Sequence, residues 1–520
     1  MLWACFLARL LFYSAMLPLW EGYDEWAHFS VVRQMAVGGH LLVSREAPIP
    51  RDVEASLQLA PVPWELRSLP APAVTQDEYW KLAPEERVRR QSALRTMPAS
   101  WGRQNGTGAL QAYEALQPPL YYWIAAPLLW ILRASGLLAQ VLALRFFSSL
   151  LASLTVPLVF LVGLEVWDDS RLALASAAIV ALMPGLALDV ARVGNDSLAV
   201  PLFTLLTWLA VKAVRRGMDL HRAAAIGLVL GLGLLTKVYF LTAIPALLAM
   251  GWLGRRRLPD LVRVLPEIAI AIVVAGWWYV RNLRTTGTLS GLSEALMLRD
   301  MGAFEMVRKA TAIDWLKAVD SIFFSHLYFG GWSSLTVRSW MYHIFYIGIV
   351  AAAIGVFRIV RRPAIAALLA VYLSFWLGQF YNVVMLYLRK GLPGSMGWYM
   401  YAVVAAEVTL CVAGLRGLLP RRVTPWISVT GATLFALLDL YTLHAVAIPY
   451  YAGILRHRAN GSLAALHWAG LRSVGIAETV DRLSGFVPPA LLVGLWLFYL
   501  CGTAGSCACA RTQESPDNGR

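Results

Sequence analysis

An all-α, polytopic membrane protein of about 12–13 transmembrane helices, with a long first extracytoplasmic loop, is the fold class that the sequence predicts. Three observations predict it. Of 520 residues, 58% are hydrophobic and only 15% are charged, against roughly 25% charged in soluble domains. Mean hydropathy is +0.59. Apolar runs of about 20 residues, enough to cross a bilayer core as helix, recur along the chain, and no barrel-type alternation accompanies them.

The elements follow in order. Residues 1–20 lack a charged leader region and a small-x-small cleavage site before Glu21, so they read as the first span rather than as a secretion signal. Further spans are expected at 142–165, 172–190, 198–214, 223–236, 238–254, 264–280, 341–357, 364–388, 398–415, 425–448 and 487–502. The apolar run 118–132 opens on a Pro pair and closes at Arg133. It reads as a re-entrant or interfacial helix on the outer face, with a full crossing as the alternative. Loop charge supports the first reading. Arg421/Arg422, Arg358/Arg361/Arg362, Arg255/Arg256/Arg257 and Lys212/Arg215/Arg216/Arg222 then share one side, which the positive-inside rule makes cytoplasmic.

The chain divides accordingly into a transmembrane domain over 1–420, C-terminal membrane helices over 421–504 and a polar tail over 505–520. Two large loops, 21–140 and 281–340, fall outside. In the first, Pro84-Glu85-Glu86 followed by Arg87, Arg89 and Arg90 places proline and acids at the start of a surface helix and bases toward its end. Scattered prolines make this loop an expected cap without a core of its own. In the second, Asp314-Trp315-Leu316-Lys317 leads into Ile322-Phe323-Phe324 and predicts an amphipathic interfacial helix. No internal repeat is visible.

The net charge of +14, from 45 Lys plus Arg against 31 Asp plus Glu, belongs to basic cytoplasmic loops, and no nucleic-acid partner is expected. Five cysteines build no disulfide framework. A C-x-C pair at Cys507 and Cys509 is weak evidence for a metal.

The chemistry concentrates at the exit of the first span. Gly22-Tyr23-Asp24-Glu25-Trp26-Ala27-His28 places two carboxylates and an imidazole within about one helical turn, with Asp24 and His28 on a shared face if helical. A carboxylate in a cleft bordered by Trp20, Tyr23 and Trp26 suits a general base tuned by partial burial. A plain helix N-cap is the alternative for Asp24. His28 lacks the paired-His spacing of the zinc hydrolases. Single basic residues at outer span ends, Lys237, Arg281 and Arg389, either snorkel or meet an anion at the membrane surface.

Several strings, taken in order, resemble the glycosyltransferase C superfamily. They are Asp24-Glu25-Trp26-Ala27-His28, Gln117-Pro118-Pro119-Leu120-Tyr121-Tyr122, Arg192-Val193-Gly194-Asn195-Asp196, Gly233-Leu234-Leu235-Thr236-Lys237, Trp278-Tyr279-Val280-Arg281-Asn282 and Gly397-Trp398-Tyr399. The chain is similar to the bacterial lipid-sugar-dependent transferases of the protein mannosyltransferase and aminoarabinose transferase type, and to a related uncharacterised membrane family with a PDEPAHF-like opening. The resemblance covers roughly residues 10–420 and rests on the joint order of short motifs.

That resemblance implies a multi-pass enzyme that moves a sugar, hexosyl or pentosyl, from a polyprenyl-phosphate carrier to a lipid, glycan or protein acceptor on the extracytoplasmic side. Asp24 matches the catalytic position, with Glu25 beside it. Lys237, Arg281, Arg389 and Arg192 are the expected donor-phosphate cations, and His28, Tyr121, Tyr122 and Asp196 the expected substrate contacts. In the relatives the P-P-L string is often preceded by His. Here Gln117 stands there, and Asn195 rather than an acid stands before Asp196, so no metal ligand set is carried over and no cofactor is assigned. Direct displacement with one base would invert the anomeric centre, by analogy with glycosidases. The alternatives are a transporter or flippase of lipid-linked sugars, which would be expected to show inverted repeats, and a non-catalytic member of the fold.

Overall fold

The computed structural model describes residues 1–254, 264–420, 422–466 and 468–511. The basic clusters expected at Arg255/Arg256/Arg257 and at Arg421 lie, wholly or in part, outside the described residues, as does the tail after Arg511.

Helices dominate. In chain order they are α1 (Leu2–Met16), α2 (Glu25–Gly38), α3 (Arg51–Leu59), α4 (Pro84–Arg95), α5 (Leu120–Ile131), α6 (Leu137–Ser153), α7 (Thr155–Trp167), α8 (Ser170–Leu182), α9 (Pro184–Val190), α10 (Asp196–Arg216), α11 (Leu220–Leu234), α12 (Ala243–Gly254), α13 (Leu265–Thr286), α14 (Trp315–Leu327), α15 (Ser339–Ile359), α16 (Pro363–Lys390), α17 (Val404–Leu418), α18 (Trp426–Tyr441) and α19 (Pro489–Arg511), joined by short helical turns. The one sheet among the described residues is a two-residue parallel pair, Pro61–Val62 with Val74–Thr75.

Among the described residues seven helical stretches are long and apolar enough to cross a membrane, or eight if the pair α8 and α9, bent by 65°, forms one span. The sequence predicts about 12–13. The difference has a physical cause. α1, α11 and α12 are short, and α13 is diluted by Glu267, Arg281 and Arg284. Met183 and Pro184 break the run expected at 172–190, because proline cannot continue the hydrogen-bonding ladder. α5 has 12 residues, about 18 Å of helix, which is shorter than a bilayer core and agrees with the interfacial expectation.

Close backbone packing joins α15 to α17. Gly355 of α15 and Gly414 of α17 face each other so closely that a Cβ on Gly355 would lie 1.8 Å from the Gly414 carbonyl oxygen. Only glycine permits that approach. At the other end of the chain, α19 packs along α1. Arg9 pairs with Asp439 of α18 at 2.8 Å, and the Tyr13 and Tyr499 hydroxyls donate to the same carboxylate at 2.8 and 2.6 Å. The segment drawn at 421–504 therefore belongs to the same bundle.

In the first loop Trp26, Phe29, Ile49, Val53 and Leu57 pack with Trp20 and with Tyr121, Tyr122 and Leu144 of α5 and α6 in a second apolar cluster, so the loop shares its core with the membrane helices. The cap is thus built onto the membrane helices rather than beside them. The two predicted loop helices are present as α4, with Pro84 at its first turn, and α14, whose Asp314 cap accepts from the Lys317 N–H at 3.1 Å.

Candidate active site

The cluster begins with a break in the chain direction. Between α1 and α2 Asp24 takes a left-handed conformation (φ 54°) and stands at the N-cap of α2, yet its side chain makes no capping hydrogen bond. The capping alternative therefore does not account for it. Its Oδ1 instead accepts from the Tyr113 hydroxyl at 2.6 Å, the one hydrogen bond this carboxylate makes among the described residues. Trp26 packs edge-on against Tyr113, with ring centroids 5.3 Å apart.

The expected shared face of Asp24 and His28 is not formed, because Asp24 lies outside the helix. His28 turns to the Tyr122 hydroxyl, 2.8 Å from Nδ1, and to Glu114, 3.7 Å away. Burial, with Arg192 and Lys237 nearby, holds its imidazole well below the usual range.

Glu25 corrects the catalytic expectation most plainly. It is fully buried and gripped by Arg145, whose Nε and Nη2 donate at 2.7 and 2.6 Å, while the Val193 N–H donates at 3.0 Å. Arg145 also donates to the carbonyls of Ser14, Leu17 and Pro18. A carboxylate held by three donors and shut off from solvent is anchored rather than turned to a substrate. It ties α2 to α6 and to the 191–196 turn.

That turn supplies the charged floor. Arg192, 2% exposed, donates from Nη2 to Asp189 and Asp196, each at 2.9 Å, and lies 5.5 Å over the Tyr23 ring. Burial disfavours its charge, but Asp189 and Asp196 outweigh that and raise it above its ordinary range. Asp196 also pairs closely with Lys237. Asn195 fastens the two turns by donating to the Thr236 carbonyl at 3.2 Å, and Leu120 N–H of α5 donates to Leu235 at 2.8 Å. Lys237 is walled by the Tyr239 and Tyr399 rings at 5.5 and 5.4 Å.

Of the other expected residues, Tyr122 belongs to the cluster through His28. Tyr121 is turned away, its hydroxyl 2.8 Å from Ser148 of α6. Arg281 is half-buried on α13, its guanidinium 5.1 Å over Trp278, and among the described residues it makes no ion pair with a carboxylate. Tyr279, two residues earlier, donates to the Leu234 carbonyl at 3.0 Å, which ties this end of α13 to the turn that carries Lys237. Tyr239, next but one to Lys237, packs on Phe375 of α16 with centroids 5.4 Å apart, and Arg389 stands 14 residues further along that helix, in its last turn.

Sequence reasoning missed Tyr113, Glu114, Asp189 and Arg145. Glu114 is buried, with Oε2 lacking a hydrogen-bond partner, and burial together with the charge of Asp24 pushes it up to about 8. Asp24 is raised by its own burial, opposed by the Tyr113 bond, Arg192 and Lys237. Both neighbouring carboxyls are thus raised by burial, and Glu114 holds a proton at neutral pH. The signals were available: Glu114 lies three residues before Gln117-Pro118, and Arg145 is the one charge in the run 137–153. Among the described residues no three His, Cys, Asp or Glu side chains converge to hold a metal ion.

Comparison with known proteins places part of this cluster in a recognised segment. Residues 116–279 match the family described as dolichyl-phosphate-mannose-protein mannosyltransferase. The resemblance read from the motifs is borne out over this segment. It contains Tyr122, Arg192, Asp196 and Lys237; Asp24, Glu114 and Arg281 lie outside it. The chain is 30% identical over 168 residues to an undecaprenyl phosphate-alpha-4-amino-4-deoxy-L-arabinose arabinosyl transferase of Pseudomonas savastanoi pv. phaseolicola, covering 31% of this chain and 30% of that protein. It is 33% identical over 143 residues to the transferase 2 of the same description from Pseudomonas fluorescens, covering 26% and 25%. The match thus spans less than a third of these curated relatives. A crystal structure of ArnT from Cupriavidus metallidurans bound to undecaprenyl phosphate is similar to 97% of this chain and 75% of that one, at 14% identity and a TM-score of 0.49.

Proposed function

We propose that this protein is an integral membrane glycosyltransferase that moves a sugar from a polyprenyl-phosphate-linked donor to an acceptor hydroxyl on the extracytoplasmic side, with inversion. The carrying observation is the isolation of Asp24. It sits in a strained left-handed turn, does not cap its helix, and is engaged by one phenol rather than by a cation. In this reading Asp24 takes the proton of the acceptor hydroxyl as its oxygen attacks the anomeric carbon and the carrier phosphate leaves from the opposite face. Tyr113 orients the carboxylate. Glu114, kept neutral, adds no second negative charge beside it.

Lys237 and Arg281 are the cations assigned to the leaving phosphate. Lys237, paired with Asp196, acts as a point charge between two phenol rings, and Arg281 offers a planar fork that pairs with no carboxylate among the described residues. Arg192 is committed to Asp189 and Asp196, and serves as the fixed counter-ion that keeps Asp196 in place. Fixed cations in a partly desolvated site stabilise charge that develops on a leaving phosphate. The relatives' names and the segment over 116–279 support this reading, which calls for no cofactor.

The test offers purified protein in lipid a panel of polyprenyl-phosphate sugars, pentosyl, hexosyl and amino-sugar, with a lipid extract as acceptor, and measures released polyprenyl phosphate. Addition of a divalent ion or a chelator is a parallel arm. Transport of intact donor across proteoliposomes without release would replace the proposal with a flippase.

A further inference from the structure

Behind the cluster lies a second buried polar pair that the proposed chemistry does not use. His326, near the end of α14, is 5% exposed, and Glu407, in the first turn of α17, is 7% exposed. His326 Nε2 lies 2.9 Å from Glu407, and Nδ1 lies 3.2 Å from the carbonyl oxygen of Gly397. A carbonyl oxygen only accepts, so Nδ1 carries a hydrogen and donates to Gly397. The Nε2 contact with Glu407 then also needs a proton between the two atoms. Glu407 therefore fixes which way round the ring stands. A pocket of about 150 Å³ lined by Phe323, Ile344, Cys411 and Phe435 adjoins the pair.

What the ring holds is the helical turn Gly397–Val403. Gly397 is clamped on both sides, since its N–H also donates to Ser325 Oγ at 2.7 Å, and the Tyr401 hydroxyl returns a bond to the His326 carbonyl at 2.6 Å. A Cβ on Gly397 would lie 2.0 Å from the Ile322 carbonyl oxygen, so the turn is seated directly on α14. The next two residues reach the cluster. Trp398 stacks on Tyr23 with centroids 3.9 Å apart, the ring over which Arg192 lies, and Tyr399 faces Lys237.

We propose that His326, oriented by Glu407, is a positioning residue for the donor site: its bond to Gly397 sets the Trp398–Tyr399 wall, on which Tyr23 stacks beneath Arg192 and which Lys237 faces. The donor-site part of this rests on the glycosyltransferase reading. The geometric part does not.

Two substitutions separate the two nitrogens. In His326→Asn the amide nitrogen can take the place of Nδ1 and keep the Gly397 bond; in His326→Gln the amide reaches the Glu407 side and the Gly397 bond is lost. Hydrogen exchange of the full chain in detergent, followed in peptides covering 397–403, should rise about tenfold in His326→Gln, the factor expected for one lost hydrogen bond, and stay near wild type in His326→Asn. Ser325→Ala, which removes the other bond to Gly397 with little change of volume, should also accelerate exchange there, and serves if the Gln variant does not accumulate. Equal exchange in the Asn and Gln variants, or wild-type exchange in both Gln and Ser325→Ala, overturns the proposal. Affinity for undecaprenyl phosphate should fall about tenfold in His326→Gln and recover in His326→Asn. A wild-type protein with no affinity for that probe would remove the donor assignment and leave the exchange result to decide the positioning role.

Discussion

Replacing Glu25 by Gln changes one atom type and separates the two adjacent acids most sharply. An acid that merely opens a helix would cost about 1 kcal/mol when neutralised. The structure calls for more. The Glu25 carboxylate faces three donors, Arg145 Nε at 2.7 Å, Arg145 Nη2 at 2.6 Å and the Val193 N–H at 3.0 Å, and neither Glu25 nor Arg145 has exposed side-chain surface. An amide supplies one oxygen and must turn its own N–H groups toward a donor, so at least one bond is lost and the guanidinium is left buried without a counter-charge. Breaking a buried pair costs roughly 3–5 kcal/mol. Three backbone carbonyls still accept from Arg145, which puts the expected loss at the lower end, about 3 kcal/mol. Unfolding by SDS titration in mixed micelles, Glu25→Gln against wild type, measures it. The double variant Glu25→Leu with Arg145→Met should recover part of the loss, since it leaves no charge unpaired. A Glu25→Gln protein within 1 kcal/mol of wild type, or a double variant less stable than either single one, would refute the anchoring role. Activity should fall only as far as the 191–196 turn shifts.

Asp24→Asn should keep stability and donor affinity while turnover falls roughly 100- to 10,000-fold, as expected for a lost general base; wild-type turnover would end that assignment. Glu114 is held protonated by the fold at about 8, above its ordinary 4.5. Its contribution to stability is therefore complete below about pH 4.5 and lost as pH rises through about 8, a total of roughly 3–5 kcal/mol, and Glu114→Gln should flatten that alkaline decline in a pH series of unfolding curves. Lys237→Ala and Arg281→Ala should each weaken binding of a polyprenyl-phosphate sugar about ten- to a hundredfold, and unchanged affinity in both would make them snorkelling residues. Cysteine placed at Ser92, exposed on α4, should be labelled from outside intact cells; labelling only after permeabilisation would invert the topology.

The sequence by itself determined the class of molecule and most of the residues at its site. A charged fraction of 15% and repeated apolar runs leave no soluble core to build, and backbone groups in lipid must be satisfied within helices. The order of short strings brought Asp24, His28, Tyr122, Arg192, Asp196 and Lys237 onto one roster, because each string is local and the strings recur together. Helix count was less legible, since short helices buried in a bundle carry the same apolar signal as full spans. What each polar side chain does was decided by the tertiary structure. Asp24 and Glu25 are adjacent, yet a left-handed residue at the helix start sends one carboxylate to Tyr113 and the other to Arg145, 120 positions away. Glu114 becomes a proton holder only because folding removes it from water beside Asp24. Periodicity reports the face and depth of an element; the partner and solvation of a charge depend on contacts between distant segments, which no local pattern contains.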